Sequence, residues 1–446
     1  MSPVVPRLLA ASVSSLLALA CGESPAPGAT SDASADSSAL PAGVTPTAAL
    51  PTEANKAHTL TVVVRDQAGK PWPNQTITFA AQPGSGKVAP ASATSDGKGQ
   101  ATVTWTTGPA PIVQTLRATV ATLPAADLAG PMALTQPLEP APFGKVATWL
   151  ADHKVDGSTE DMAISPDGSY AMLGVPGHLL RLDPSGDVTE IAATGDAFTF
   201  PLGMQFAGDG SLLFCDSTGK ALRKLTKDKV VATLTTTDGS KPLEQPNDLV
   251  LDDKGRVWFT DPCLGEVLRY DPATKATQVL ATFDLGTQGG PNGIALSPDG
   301  KHVVVATENV TVLCFKGGAA LDAPLGRLWQ ADRTDGKLTF NPRGDAQGVF
   351  GDGCAYDQLG NLYATFDQFV TKPTIALQAS VVVVYRKGET QPQPFLSTDK
   401  ALFANVVFGR GAMGAEQLYT VLLTVPPVTP PEARGVWRIE TGVPGL

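Results

Sequence analysis

Short runs in which apolar and polar residues alternate dominate the first ordered-looking part of the chain. Four such runs, HTLTVVVRD, NQTITFAA, GQATVTWTT and QTLRATVAT, are rich in β-branched residues and are separated by turn sequences such as AGKPWPN and SDGKG. Alternation with a period of two is typical of strands that bury one face. The pattern therefore predicts a small β-sandwich over residues 57–124.

A second pattern repeats from residue 144 onwards. A turn followed by an apolar strand recurs as SPDGSYAML, AGDGSLLFC, DDKGRVWF, SPDGKHVVV, DQLGNLYAT and, more loosely, GAMGAEQLYT, and a second strand follows each copy. Six pairs at the spacing of a four-stranded blade predict a six-bladed β-propeller over residues 144–446. We expect the segment GKVATWL to pair beside GVWRIE and so close the last blade. The predicted fold class is all-β, a six-bladed propeller preceded by an Ig-like sandwich.

The N-terminus has the pattern of an export signal. Arg7 precedes an uncharged apolar run that ends at Cys21, and this run is too short for a permanent membrane span. The stretch resembles a bacterial lipoprotein signal, which implies a signal peptide at 1–20, lipidation of Cys21 and anchoring in the cell envelope. Gly22 in place of Asp favours the outer membrane. An ordinary signal peptide with a chance cysteine is the alternative.

Two further segments have linker composition. Residues 21–56 are rich in Ser, Ala, Pro, Thr and Gly, which predicts a disordered tether. Residues 125–143 form a Pro-rich linker between the sandwich and the repeats. We therefore expect contact with the membrane only through the lipid anchor.

Charge and cysteine content narrow the function further. The formal net charge is −10 with no basic cluster, so a nucleic acid would meet net repulsion and is not expected as a partner. The cysteines of the repeat region lack metal-site spacing and leave open one or two disulfides or buried free thiols; they are Cys215, Cys263, Cys314 and Cys354.

Polar residues occupy one register position in several repeats. Counting back eight residues from the turn glycines gives Glu160, Asn247, Asn292 and Asp352, whereas the second repeat has Leu202. Asn405 occupies a comparable place in the irregular sixth repeat. Equivalent positions of a propeller surround one axis, and carboxylate and amide oxygens favour calcium over zinc. Each residue alone could equally be a turn former.

The same segments carry a family resemblance. EDMAISPDG, QPNDLVLDDKGRVWFTDP, GGPNGIALSPDGKHVVVATE, GDGCAYDQLGNLYATF and NVVFG resemble, in order, the motifs of the senescence-marker-protein/gluconolactonase family of six-bladed propellers, relatives of paraoxonase and strictosidine-synthase-like proteins. The resemblance implies a divalent metal, usually calcium, held by Glu160, Asn247, Asn292 and Asp352. It also implies lactone hydrolysis with the metal as Lewis acid. Because a ligand carboxylate close to metal-bound water can take its proton, we assign Asp352 as the base and Glu160 as the fixed anionic ligand.

Departures from the family pattern concern the substrate. Gln245 stands where sugar-lactone members carry an Arg, and Glu160 is followed by Asp-Met rather than Gly-Pro. We assign Gln245 and Asn405 as candidate substrate-binding residues, and the expected substrate is a small lactone or ester.

The N-terminal strands carry a second resemblance. LTVVVRDQAGKPWPNQTITF and TSDGKGQATVTW resemble the bacterial Ig-like domain of the invasin and intimin type. Such modules serve as spacers or adhesive arms, and as an adhesive arm this domain would bind a surface partner. The alternative function is accordingly a non-catalytic binding or adhesion propeller with a structural calcium.

Overall fold

A computed structural model describes residues 42–155, 159–311, 314–370, 376–423 and 434–446. The predicted signal peptide and Cys21 lie outside the described residues. Within those ranges, no helix is long and apolar enough to cross a membrane.

The N-terminal domain is a β-sandwich of two four-stranded sheets, with strand orders β1-β2-β6-β4 and β5-β3-β7-β8. Its buried positions alternate along the strands, and the fully buried Trp105 lies in the core between the sheets. The strands are β1 Gly43–Pro46, β2 Ala57–Arg65, β3 Thr76–Ala81, β4 Lys87–Ala89, β5 Ser92–Thr94, β6 Gln100–Thr106, β7 Val113–Thr119 and β8 Ala126–Pro131.

The sandwich is longer than the alternating pattern indicates. Strand β1 lies within the predicted tether 21–56 and pairs antiparallel with β2, with Val44 opposite Val64. Strand β8 lies within the predicted linker 125–143 and pairs with β7. Both segments are short and rich in Gly, Ala or Pro, so their strand character comes from pairing with a neighbour rather than from local propensity.

The described residues that follow the sandwich form sheets that divide into six four-stranded units. The first three units contain β10 Met162–Ile164, β11 Ala171–Val175, β12 His178–Leu182 and β13 Val188–Glu190; β15 Pro201–Phe206, β16 Leu212–Asp216, β17 Ala221–Leu225 and β18 Val230–Thr235, with β14 Thr194–Gly195 at the edge; and β19 Leu249–Leu251, β20 Val257–Asp261, β21 Glu266–Asp271 and β22 Ala276–Thr282.

The other three units complete the ring. They contain β23 Gly290–Leu296, β24 His302–Glu308, β25 Arg327–Asp332 and β26 Asn341–Pro342; β27 Phe350–Tyr356, β28 Leu362–Val370, β29 Ala376–Tyr385 and β30 Pro392–Thr398; and β31 Leu402–Phe408, β32 Gln417–Leu423 and β33 Gly435–Glu440 together with β9 Ala141–Phe143. A 3-10 helix spans Gly411–Met413.

The first strand of each unit, called its inner strand below, contacts the inner strands of the two neighbouring units. The inner strands therefore form a closed ring, and the next strand of each unit is its second strand. Strand β10 contacts β15, and the contacts continue through β19, β23, β27 and β31 back to β10. These strands therefore surround one axis, as expected for a β-propeller. Residues at their entry ends converge on that axis from distant parts of the sequence.

The ring is closed by a different segment from the one predicted. Strand β9, Ala141–Phe143, pairs with β33, with Phe143 opposite Val436. The segment GKVATWL instead enters helix α1, Val146–Asp152, which buries Val146, Trp149 and Leu150. This spacing of three and four residues places all three on one helix face, which favours helix over strand.

The sandwich and the propeller share a hydrophobic core. Ile112 of the sandwich lies in one buried cluster with Phe395 and Val443 of the propeller. Beside this cluster the buried Arg386 donates from Nε to the carbonyl oxygen of Pro111 at 2.9 Å. The interface is thus both apolar and hydrogen-bonded, and the two domains pack directly against each other.

Candidate functional site

Irregular strand pairing places the side chains at the start of the inner strands near the propeller axis. The pairing register shifts between Pro291 and Ile294 in β23, and again between Gly351 and Cys354 in β27. Such bulges release the residues inside them from the ladder and redirect their side chains. Asn292 lies inside the first bulge and Asp352 inside the corresponding bulge of the next unit.

Neighbouring units hold these entry segments in place. Thr260 of β20 donates its hydroxyl to the carbonyl oxygen of Asn292 at 2.6 Å. Thr365 of β28 donates in the same way to the carbonyl oxygen of Ala404 at 2.6 Å. The inner strands of the fourth and sixth units are therefore each fixed by the second strand of the preceding unit.

The structure brings the four register residues to the axial site. The Nδ2 amide of Asn247 donates to Oε1 of Glu160 at 2.9 Å, although the two are 87 residues apart. The carboxylates of Glu160 and Asp352 interact electrostatically, and the amide of Asn292 faces Glu308. Asn247, Asn292 and Asp352 are buried, and Glu160 is partly buried.

Two further carboxylates complete this group and were missed in the sequence. Glu308 ends strand β24 and Asp367 lies near the end of β28, and each is 4% exposed. They escape a search along the inner strands because they belong to the second strands. The signal in the sequence was an acidic residue at the end of an apolar strand segment, as in VVVATE and LYATFD.

Three buried oxygens of this group have no hydrogen-bond partner among the described residues: Asn292 Oδ1, Glu308 Oε1 and Asp367 Oδ1. Asp261, which ends the second strand of the third unit, differs, because its carboxylate accepts from the backbone N–H groups of Glu244, Gln245 and Leu264. Buried acceptor oxygens normally accept at least one hydrogen bond. The unpaired oxygens at the axis are therefore free to accept from a donor, or to bind a cation, from outside the chain.

Burial and mutual repulsion raise the proton affinity of these acids. Burial, opposed in part by the Asn247 hydrogen bond, raises the pKa of Glu160 to about 7. Burial and the charge of Glu160 raise the pKa of Glu308 to about 8, and burial raises that of Asp367 to about 7. The pKa of Asp352 lies well above its usual range because of burial first and the charges of Glu160 and Glu308 next. In the described chain none of the four pairs with a Lys, Arg or His.

The donor set fits a hard divalent cation chemically. Carboxylate and amide oxygens without thiol or imidazole are the ligands of calcium or magnesium rather than zinc. A cation among the unpaired oxygens would offset both the repulsion and the missing hydrogen bonds. In the described part of the chain, no group of three or more His, Cys, Asp or Glu side chains is preformed to hold a metal, so the fit rests on mixed carboxylate and amide donors.

A second polar layer lies one residue further along the inner strands. Asp161 accepts from the backbone N–H of Met204 at 2.6 Å, and Asp248 accepts from that of Ile294 at 2.8 Å. Each carboxylate thus bridges from its own unit to the next inner strand. These bonds position the strands that carry the axial donors.

Asn405 belongs to this second layer, which corrects its predicted place. The bulge in β31 lies between Phe403 and Val406, so Ala404 is the counterpart of Asn292. The Asn405 side chain accepts from the N–H of Val406 at 2.7 Å and packs against Gly353, where a Cβ atom would lie 1.8 Å from its Oδ1. The irregular sixth repeat had hidden this shift of one residue.

Gln245 lies beside a disulfide, in the segment that leads into the first strand of the third unit. Cys263 and Cys314 are joined, with a Cα separation of 5.4 Å, and Oε1 of Gln245 lies 2.7 Å from Sγ of Cys263. The other cysteines with described structure, Cys215 and Cys354, are buried free thiols. The Gln245 side chain therefore packs against the disulfide, two residues ahead of Asn247.

The geometry defines a class: a β-propeller with an acidic, oxygen-lined axial site behind an Ig-like sandwich. Comparisons with known proteins agree with this class. The model of the SMP-30/Gluconolactonase/LRE-like region matches residues 175–368, and that of the bacterial Ig-like domain (group 1) matches residues 44–127. Residues 175–368 are thus similar to the SMP-30/Gluconolactonase/LRE-like region, and residues 44–127 are similar to the bacterial Ig-like domain.

Individual relatives support the same assignment. A gluconolactonase of Zymomonas mobilis is 28% identical over 203 residues, which cover 41% of this chain and 54% of the relative. The protein STRICTOSIDINE SYNTHASE-LIKE 3 of Arabidopsis thaliana is 28% identical over 140 residues, 27% of this chain and 35% of its own length. The chain thus spans about half or less of these curated relatives.

A solved structure shows the same fold. The calcium-binding protein regucalcin of Agrobacterium tumefaciens superposes with a TM-score of 0.51 at 15% identity, covering 70% of this chain and 97% of its own. At this identity the likeness establishes the propeller fold alone.

The repulsion between the buried axial carboxylates can be tested through its effect on the stability of the fold. In chelator, we expect Glu308→Gln to unfold at a higher temperature than the wild type, because one uncompensated buried acid is removed, a gain of about 1 to 3 kcal/mol. In excess calcium the wild type should gain more stability than the variant, because it retains the full donor set. Thermal unfolding followed by circular dichroism measures both.

A matched control is Glu190→Gln, on the outer strand β13, where the carboxylate contacts His178 at the surface. It should leave the calcium response unchanged. A Glu308→Gln variant that is less stable than the wild type in chelator and equally stabilised by calcium would contradict the assignment.

Proposed function

We propose that this protein is a metal-dependent hydrolase of the lactonase type that acts on a small lactone or ester, with calcium as the most suitable metal. The observation that carries the proposal is the axial group of buried carboxylate and amide oxygens, several of them unpaired. The similarity to gluconolactonases over the propeller supports hydrolysis as the reaction class.

The residues that would hold the cation are Glu160, Asn247, Asn292 and Asp352, with Glu308 beside them. A divalent cation bound there would supply Lewis-acid polarisation of the substrate carbonyl and stabilise the developing oxyanion. Glu160 is fixed by Asn247 and therefore suits the role of a static anionic ligand.

Asp352 suits the role of general base. It lies inside the bulge of β27 with its side chain among the axial donors, and its carboxylate has no paired cation in the described residues. A carboxylate in this position can accept the proton of an attacking water and later return it to the leaving alkoxide. The surrounding buried side chains limit access of bulk water to that proton.

The substrate side of the site is less polar than a sugar would require. Gln245 replaces the Arg expected for sugar-lactone members, and its amide oxygen already contacts the disulfide. We therefore favour a lactone or ester with few hydroxyl groups. The Ig-like domain also favours a second candidate, a binding propeller with a structural cation, because such domains commonly serve as spacers or adhesive arms.

An activity test separates the two candidates. The purified full chain should hydrolyse at least one member of a lactone and ester panel, and chelator should abolish that activity. Asp352→Asn should lower the rate by about a hundredfold or more, the usual contribution of a general base. The measurement is proton release or product formation at fixed pH.

The control for this test is Asp332→Asn, an exposed carboxylate on β25 that contacts His302. It should retain full activity. Tight calcium binding with no hydrolysis of any panel member would contradict the enzyme proposal and favour the binding propeller.

Location in the cell is a separate proposal. An apolar run followed by Cys21 supports export and lipid anchoring, with a preference for the outer membrane. Replacing the acylated thiol, Cys21→Ser, should move the protein from the membrane fraction to the soluble envelope fraction on sedimentation and immunoblotting. Unchanged membrane retention of this variant would contradict lipidation.

A further inference from the structure

A cavity of about 430 Å³ lies between the fourth and fifth units of the propeller. The inner strands β23 and β27 enter at the axial site and end at the turns that line this cavity, so it opens on the opposite face of the propeller. Its wall combines apolar and cationic groups: Pro298, Gln330, Arg343, Tyr356, Leu359 and Lys387. This composition differs from the acidic axis.

Arg343 is held in this wall entirely by neutral acceptors. Its guanidinium donates to Oε1 of Gln330 at 3.0 Å and to the hydroxyl of Tyr356 at 3.2 Å. It also lies over the ring of Tyr385, 5.5 Å from the centroid. Within the described ranges no carboxylate lies at ion-pair distance, so the charge is oriented but not neutralised.

Lys387 supplies a second cation to the same cavity. Its side chain runs along Gly360 of the facing turn, where a Cβ atom would lie 3.3 Å from Lys387 Cδ, and its ammonium forms no ion pair with described residues. The exposed position leaves the ammonium free to reorient towards a ligand.

The acids of the lining are engaged elsewhere. The carboxylate of Glu389 pairs with Arg386 at 3.6 Å. Asp299 accepts from the hydroxyl of Ser297 at 2.6 Å and from the backbone N–H of Lys301 at 3.1 Å within its own turn. In the described residues neither carboxylate forms an ion pair with Arg343 or Lys387, and Asp299 keeps its charge because both of its donors are neutral.

We propose that this cavity binds a small carboxylate with an apolar body. The planar guanidinium of Arg343 matches a carboxylate, and its neutral partners fix its orientation before the ligand arrives. The ring of Tyr356 and the side chains of Pro298 and Leu359 would contact the apolar part of the ligand. The proposal is independent of the axial chemistry, because none of these residues belongs to the axial site.

Isothermal titration of the full chain with sodium benzoate tests the proposal, with inorganic phosphate as a second titrant. The wild type should bind benzoate saturably, and Arg343→Gln should weaken binding by about tenfold or more, because it removes a charge-assisted hydrogen bond. Lys387→Gln should weaken it by a smaller factor. The control Lys301→Gln, in the turn that carries Pro298 but outside the lining, should bind as the wild type does.

Three results would overturn the proposal. They are the absence of saturable benzoate binding in the millimolar range, equal affinity in Arg343→Gln, and binding of phosphate without benzoate. The unfolding temperature of each variant is measured in parallel. If Arg343→Gln fails to fold, Lys387→Gln decides, because Lys387 is exposed and its replacement leaves the core intact; an unchanged affinity there would then reject the site.

Discussion

The burial of like charges around one axis is the constraint on which this structure depends. Six buried carboxyl groups lie around it, on or just ahead of five of the inner and second strands: Glu160, Asp161, Asp248, Glu308, Asp352 and Asp367. Burying an acid without a partner is costly, and no described Lys, Arg or His offsets the charge. The fold therefore holds a strongly acidic centre that a cation would stabilise, and the proposed chemistry uses that same property.

The rest of the fold supplies the rigidity that this arrangement requires. Thr260 and Thr365 fix the neighbouring inner strands, while Asp161 and Asp248 bridge between units through backbone N–H groups. Closure by β9 and the core shared with the sandwich restrain the ring from outside. The Ig-like domain thus contributes packing to the propeller, in addition to any role as a spacer.

Sequence analysis predicted the features that follow the regular repeat and missed those that depart from it. Regular turn glycines predicted the units and the entry positions, so Asn247 and Asn292 could be found by counting. Glu308 lies on a second strand, and counting back from the turn glycines reaches only the entry positions of the inner strands. Asn405 was displaced by one position because the spacing in the sixth repeat hides a bulge. The closing strand β9 lacks strand propensity and depends on tertiary pairing, which no local pattern reports.

The most direct test of the central claim is a crystal structure of the protein grown in calcium, with anomalous scattering to identify the ion. The account predicts one cation on the axis, with oxygens of Glu160, Asn247, Asn292 and Asp352 at about 2.3 to 2.6 Å. An axial site that holds only water at saturating calcium, with these side chains directed elsewhere, would contradict it.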